Sequence, residues 1–297
     1  MTLNLLVTGA TGFVGRHLTE FLSLQAGVRL RAVSRRGGNV GPTLVDAVNL
    51  ELPGALEAWS AAAPRFDAVF HLAARVPGHG IADSESLLLA NLAGTRSALA
   101  LAEAHGAFMV YASSAFIYEP GDGEPVTESQ TPHPGSYYHS SKLAGEQLCR
   151  ASVHAGVPGV QLRIAAVYGP GQVSPTVLQL FVTRAKVSQD LLVHGSGRRT
   201  QDFVHVDDVV RAMWQAFLAR SDGPFHVASG ASIAMWDLAT LVRACVPETG
   251  AVVRFSGQPD PQENARWAFS IARARAAFGF EPRVRLEDGI RQLARMT

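Results

Sequence analysis

Between residues 136 and 142 the chain reads SYYHSSK, two adjacent tyrosines with a lysine downstream. On a helix, side chains four apart stack on one face and those five apart diverge, so Tyr138 shares a surface with Lys142 better than Tyr137 does. A phenol titrates near ~10 in water. A neighbouring cation favours its phenolate, so a Tyr138 and Lys142 pair has the makings of an acid/base that passes a proton near neutral pH. Ser114, in the Ser113-Ser114 step that ends a predicted strand upstream, could hold the substrate oxygen that exchanges this proton. A Tyr and a Lys four apart also occur by accident in amphipathic helices, so the spacing gains meaning only from the elements around it.

Those elements begin with LNLLVTGATGFVGRHLTEFLSL, a buried-type strand, a Gly-rich turn and a helix whose Val14, Leu18, Phe21 and Leu22 keep one face apolar. Gly9, Gly12 and Gly15 follow the spacing G-x-x-G-x-x-G, a variant of the dinucleotide fingerprint. Absent side chains there permit a tight turn, approach of a pyrophosphate and close helix-to-strand packing. A second strand, VRLRAVS, ends at Ser34-Arg35-Arg36, where an acidic residue would hold a ribose 2′-hydroxyl. No acid stands there. A hydroxyl and a guanidinium suit a 2′-phosphate, so NADP is favoured over NAD, the alternative being a solvated surface Arg pair. FDAVFHLAA and GAFMVYASSAFIY read as further buried strands and SESLLLANLAGTRSALALAEAH as a helix, an alternation that implies a parallel sheet covered on both faces. Ligands then sit at the carboxyl ends of the strands, beside Ala73-Ala74 and Ser113-Ser114. Asn91 reads as a polar residue tolerated near a helix bend, or as one binding water or backbone. The Arg- and Gly-rich stretch around 35 to 41 reads as a loop.

Composition sets bounds. With 297 residues, 47% hydrophobic and 17% charged, the chain suits one large α/β domain or two unequal lobes. Its formal net charge of +1 offers no global field for nucleic acid or an anionic membrane. Cys149 and Cys245 lie far apart in apolar helical patterns and read as core fillers in a reducing compartment. His205 and His226 lack partners at ligand spacing, so no metal is expected. Asp207-Asp208 reads as a helix cap with an acidic first turn. The N-terminus shows no basic leader and no run of about 18 apolar residues occurs, so a soluble cytoplasmic protein is expected.

The motifs TGATGFVG, HLAA, NLAGT, SSAFIY and YHSSK occur in order, followed by LRIAAVYGPG, LLVHGSGRRTQDFVHVDDVVRAM, FHVASG and AFGFEPRVRLEDGIRQL. Over nearly its whole length the chain thereby resembles the extended short-chain dehydrogenase/reductases, the NAD-dependent epimerase/dehydratase family of nucleotide-sugar enzymes. The resemblance implies a Rossmann-type doubly wound parallel sheet over 1–168 and a smaller C-terminal α/β substrate lobe over 169–297, with about 205–230 packing back on the first domain. It implies a set in which Tyr138 is the acid/base, Lys142 holds the nicotinamide ribose and lowers the tyrosine pKa, and Ser114 orients the substrate oxygen. Cofactor contacts are expected from Gly9, Thr11, Gly12, Phe13, Val14 and Gly15, from Ser34 and Arg35, from Asn49 and Leu50 near adenine, and from Leu72, Ala73, Ala74, Asn91, Tyr138 and Lys142. Substrate contacts are expected from Val76, Ser114, Phe116, Ala166, Arg199, Gln201 and Arg266, and a homodimer from pairing of the two long helices.

Departures from the family pattern bear on the reaction. Ala115-Phe116 stand where members that dehydrate 4-keto sugars carry an acid/base pair, which disfavours dehydration. Ala166 replaces a usual Asn and Gln201 a usual Arg, removing two common contacts to a sugar diphosphate and leaving Arg198, Arg199 and Arg266 as candidate phosphate partners. The expected activity is hydride transfer at a sugar carbinol or ketone, at C4 of a nucleotide-linked sugar, as 4-epimerase or 4-ketoreductase. Reduction of a non-sugar ketone and a non-catalytic NAD(P)-binding role stay open.

Overall fold

The structure, a computed structural model, describes residues 2–296 apart from 62, 79, 174 and 175, so the expected domain ends at 1 and 297 lie outside it. The first half runs β1 (Leu3–Thr8), α1 (Phe13–Ser23), β2 (Val28–Ser34), β3 (Gly38–Val40), β4 (Thr43–Ala47), α2 (Ala55–Ser60), β5 (Ala68–His71), α3 (Glu85–His105), β6 (Phe108–Ser114), α4 (Tyr137–Ser152), β7 (Gly159–Ile164) and β8 (Ala166–Tyr168). The second continues with α5 (Val177–Lys186), β9 (Leu191–Val193), β10 (Thr200–His205), α6 (Val206–Leu218), β11 (Gly223–Val227), β12 (Ser232–Ala234), α7 (Met235–Cys245), β13 (Val253–Phe255), α8 (Ala272–Phe278) and α9 (Leu286–Arg295).

Eight strands form one sheet in the order β11-β7-β6-β5-β1-β2-β4-β3, parallel except for the edge pair β3 and β4. The chain steps from β1 outward to β2 and then returns to the other side of β1 with β5, which leaves a crevice at the carboxyl ends of these strands. Every residue of β5, β6 and β7 is buried, the continuous burial of a parallel sheet covered on both faces. Alternate β1 side chains serve the two layers: Leu5 and Val7 join the core with Leu18, Phe70 and Phe217, while Leu6 packs with Leu56, Leu99 and Met109. The Rossmann-type sheet read from the sequence is present. The stretch around 35 to 41 is not wholly a loop, because Gly38–Val40 pairs antiparallel with β4 and closes the sheet edge.

Part of the second half completes this sheet. β11 pairs with β7, and α6 packs beside α1 with Phe217 edge-on to Phe70 at 5.7 Å. The helix cap at α6 is His205, whose Nδ1 accepts the Asp207 amide at 3.2 Å, so the acidic pair supplies the first turn rather than the cap. Asp208 is fully buried and accepts the amides of Arg283 and Val284 at 2.8 and 3.1 Å, tying the C-terminal segment to α6. The remaining lobe has its own core of Tyr168, Phe181, Phe203, Leu238 and Ile290, under a three-stranded sheet β12-β10-β8 and a two-stranded sheet β13-β9. Among the described residues no helix is long and apolar enough to cross a membrane, and no cluster of His, Cys, Asp and Glu could hold a metal.

Candidate active site

The crevice holds a cavity of about 690 Å³. At one end lies the turn from β1 to α1. Gly9 has φ +72°, and a Cβ there would stand 2.6 Å from the Ala73 amide nitrogen; a Cβ on Gly15 would meet the Gly9 carbonyl oxygen at 2.1 Å. Only glycines let this turn, α1 and the end of β5 close on one another. No side chain caps the N-terminus of α1 at Gly12, so its first-turn amides remain for an anion such as a pyrophosphate. The cavity is also lined by Thr11, Phe13 and Val14, and by Leu72, Ala73 and Ala74 after β5.

Ser34, Arg35, Asn49 and Leu50 bound the same cavity where β2 and β4 end. Ser34 is buried and its Oγ accepts the Gly37 amide at 3.1 Å, which fixes the turn. Arg35 and Arg36 are exposed on the cavity wall and, among the described residues, form no ion pair. Glu51 does, taking a two-point contact from Arg75, with Nε to Oε1 at 2.8 Å and Nη2 to Oε2 at 2.6 Å. Glu51, the acid that lines this cavity among the described residues, is therefore already matched, while Arg35 and Arg36 keep their charges for a ligand.

At the other end stand Ser114, Tyr138 and Lys142. Close packing seats their helix: a Cβ on Gly145 would lie 2.1 Å from the Tyr111 hydroxyl. Ser136 caps α4 through the His139 amide at 3.1 Å, and the Asp83 carboxylate accepts the amides of Tyr137 and Tyr138 at 3.2 and 2.8 Å. Tyr138 faces the cavity, while Tyr137 is 48% exposed and does not line it. Lys142 Nζ donates to the Ala112 carbonyl at 2.8 Å and lies 5.7 Å from the Tyr138 ring centre. Burial lowers Lys142 to about 8, with Glu146 opposing, and raises Tyr138 to about 12. Ser113 and Ser114 are separated by their partners. The Ser113 hydroxyl donates to Glu146 at 2.5 Å, and Glu146 pairs with the buried Arg163 at 2.7 Å. Ser114 Oγ accepts the Phe116 amide at 3.2 Å, so its own proton remains to donate.

Asn91 also lines the cavity, but as a clamp. Its Oδ1 accepts the Arg75 amide at 2.7 Å, and its Nδ2 donates to the Arg75 carbonyl at 3.1 Å and to Ser141 Oγ at 2.9 Å. These contacts are those of the backbone-binding reading of Asn91.

The substrate candidates divide. Val76, Ser114 and Phe116 line the first cavity; Phe116 and Gln201 line a second, of about 700 Å³, in which Phe116 and His139 are shared with the first. Ala166, Arg199 and Arg266 line neither. Ala166 is taken up in β8, paired with Phe203. Arg199 is bound to Asp260 at 2.7 Å, and Arg266 donates to the Glu263 and Ala265 carbonyls at 2.9 and 3.1 Å. Arg198 is exposed and lines neither cavity. Reasoning from sequence passed over Asp83, His139, Gln262 and Trp267. His139 lay inside the quoted heptad and could have been weighed; the other three reach the site only through tertiary contacts.

The profile of the family described as NAD dependent epimerase/dehydratase matches residues 5–228. UDP-glucuronic acid decarboxylase 1 of Xenopus tropicalis is 27% identical over 306 residues, covering 96% of this chain and 70% of that one. The UDP-glucose 4-epimerase of Thermotoga maritima, solved with UDP-glucose, is 26% identical with a TM-score of 0.86, covering 98% of this chain and 97% of that one. RMD of Pseudomonas aeruginosa, solved with NADPH, is 26% identical with a TM-score of 0.80, covering 99% and 98%.

Proposed function

The chain belongs to the NAD dependent epimerase/dehydratase family, and on that premise we propose that it moves hydride between a nicotinamide and a carbinol or ketone carbon of a nucleotide-linked sugar, at C4, with NADP(H) preferred. One observation carries the reading: a single cavity has the Gly-rich turn at one end and Ser114, Tyr138 and Lys142 at the other, and shares Phe116 and His139 with a second cavity. When bound, the nicotinamide supplies or accepts the hydride. Ser114 donates a hydrogen bond to the substrate oxygen, and Tyr138, protonated at neutral pH, gives that oxygen its proton in the direction of reduction. Lys142 holds the ribose and, with its pKa brought to about 8, stays near the balance point between charged and neutral forms. The Arg35 and Arg36 pair favours a ketoreductase. Similarity to the Thermotoga epimerase favours the second reading, a 4-epimerase that retains its cofactor.

Denaturing the purified protein and identifying what it releases separates the two. Tightly held NAD marks the epimerase, and an empty protein that then binds NADPH marks the reductase. The assembly we propose is a homodimer through α3 and α4, on which Leu89 is 57% and Tyr137 48% exposed. Light scattering at micromolar protein tests it, and a monomer would refute it.

A further inference from the structure

His139 is the one imidazole that lines the first cavity among the described residues, and hydride transfer leaves it without a task. It follows Tyr138 in the first turn of α4, where its amide nitrogen donates to Ser136 Oγ at 3.1 Å. Its ring centre lies 5.3 Å from that of Tyr138 and 6.3 Å from that of Phe116. Phe116 is braced in turn by Trp267 and Phe269, edge-on at 5.0 and 5.8 Å. The imidazole is thus seated by packing against rings. Among the described residues neither of its ring nitrogens hydrogen-bonds to the protein.

Phe116 and His139 are the residues that line both cavities. A sugar that enters through the second cavity and sets its carbonyl oxygen against Ser114 and Tyr138 lies along the wall they form. Glu119 and His133 line the second cavity alone and are exposed, and Lys142 Nζ is engaged by the Ala112 carbonyl. Burial lowers the His139 pKa from the ordinary histidine value, with Asp83 opposing and Lys142 aiding, so at pH 7 the ring is neutral and one nitrogen has a lone pair to offer. Hydrogen bonds to a ketone oxygen acidify the C–H bonds on the carbons beside it, because the electron pair that a base releases ends on an oxygen already stabilised.

We propose that His139 is a second proton-transfer group, which exchanges the hydrogen on a carbon adjacent to the keto carbon and so gives the site an enolising activity besides hydride transfer. The inference rests on the reading of the substrate as a keto sugar held by Ser114 and Tyr138. In this step the C–H bond breaks and its proton passes to the free nitrogen of His139. The electron pair left behind forms a carbon–carbon double bond, and the carbonyl π pair moves to the oxygen, where Ser114 and Tyr138 donate to the enolate. The imidazolium trades its proton with water, and the reverse step returns one to carbon. Nothing is oxidised or reduced, so the exchange needs no turnover of the cofactor.

Incubating UDP-4-keto-6-deoxyglucose with the protein and saturating NADP⁺ in D₂O, where no hydride can be delivered, tests the proposal by proton NMR. Deuterium should enter at C3 or C5 faster than in a protein-free control. His139→Gln removes the base and should lower that exchange by about 100-fold or more, and by far more than it lowers NADPH oxidation by the same sugar in H₂O. Added imidazole should restore exchange to His139→Ala, whose affinity for NADP⁺ reports that it is folded. NADPH oxidation without exchange above the control overturns this inference alone. So does exchange that survives in His139→Gln, or a loss there that runs alike in exchange and oxidation with no rescue of His139→Ala, the mark of a merely structural side chain. Neither oxidation nor exchange overturns the keto-sugar reading, and this inference with it.

Discussion

The two cavities are built by different means. The cofactor side is mostly backbone: glycines that let three segments touch, uncapped amides at the start of α1, and strand ends brought together by parallel pairing. The second cavity is mostly side chain, drawn from positions 116, 139, 201, 262 and 267, with Gln201 and Gln262 contacted by Arg199 of a pair 61 residues apart in sequence. A backbone-made site follows from local sequence and changes little when exposed side chains change. A side-chain-made site can be retuned by one substitution in a supporting residue. Tyr138 and Ser114 line the first cavity close in sequence to His139 and Phe116, which line both.

The largest effect is expected at that meeting point. Tyr138→Phe removes the transferable proton and leaves the ring that lines the cavity, so turnover should fall by about two orders of magnitude or more with dinucleotide affinity within a few-fold. Tyr137→Phe should be mild, since that side chain does not line the cavity. Steady-state kinetics and cofactor titration of both variants decide it. Equal losses would mean that chemistry does not sit at the junction of the two halves.

The same division governs what could be read in advance. The strands β1, β2, β5 and β6 and the turn between β1 and α1 announce themselves through unbroken apolar runs and glycine spacing, because each depends on neighbours within a few residues. The choice of Tyr138 over Tyr137 was legible too, being a matter of helical angle. Arg199 and Arg266 were expected to face the substrate, and neither lines either cavity. A charged side chain in a sequence does not reveal its counter-ion, and Asp260 is known as the partner of Arg199 only from the fold. Asp83 is equally hidden, 54 residues before the helix terminus that it caps. Even on the legible side, Asn91 proved to be a clamp because its partners, Arg75 and Ser141, come from other elements.

A second, smaller effect would sharpen the comparison on the cofactor side. If the Arg35 guanidinium meets a 2′-phosphate, its charge-assisted contacts are worth about 1.5 to 3 kcal/mol, roughly 10- to 150-fold in affinity. Arg35→Ala should lower NADP(H) affinity by that factor and leave NAD(H) nearly unchanged. Ser34→Asp should reverse the preference by adding a carboxylate for the ribose hydroxyl and repelling the phosphate. Fluorescence titration of both cofactors reads the result. A preference for NAD(H) in the unmodified protein would leave Arg35 a solvated residue and move the balance to the epimerase.

The smallest expected effect separates the halves by acid. His71, wholly buried in β5, sits between Thr8 Oγ1 at 2.8 Å and Thr95 Oγ1 at 3.3 Å, and burial, aided by Lys142, brings it down to about 3. His226 in β11 is brought down to about 4, chiefly by burial. Between these values and the ordinary histidine value near ~6.5, the unfolded chain binds protons that the folded chain refuses. Stability present above that range is therefore lost as pH falls through it. Asp202, in β10 of the second lobe, has the opposite sign: burial raises it to about 6 against the hydrogen bonds from Ser229 and Gly230. The folded state then holds a proton that the unfolded chain has released, so its contribution grows as pH falls from about 6 toward the ordinary carboxylate range near ~3.9. The two histidines outnumber the one carboxyl, and the melting temperature should drop between pH 6.5 and 4.5. His71→Gln should lower stability at pH 7 yet flatten that drop, whereas Asp202→Asn should steepen it. Thermal melts followed by circular dichroism at the two pH values give the slopes. If both variants keep the unmodified slope, acid sensitivity lies outside these groups and the two halves do not differ in this respect.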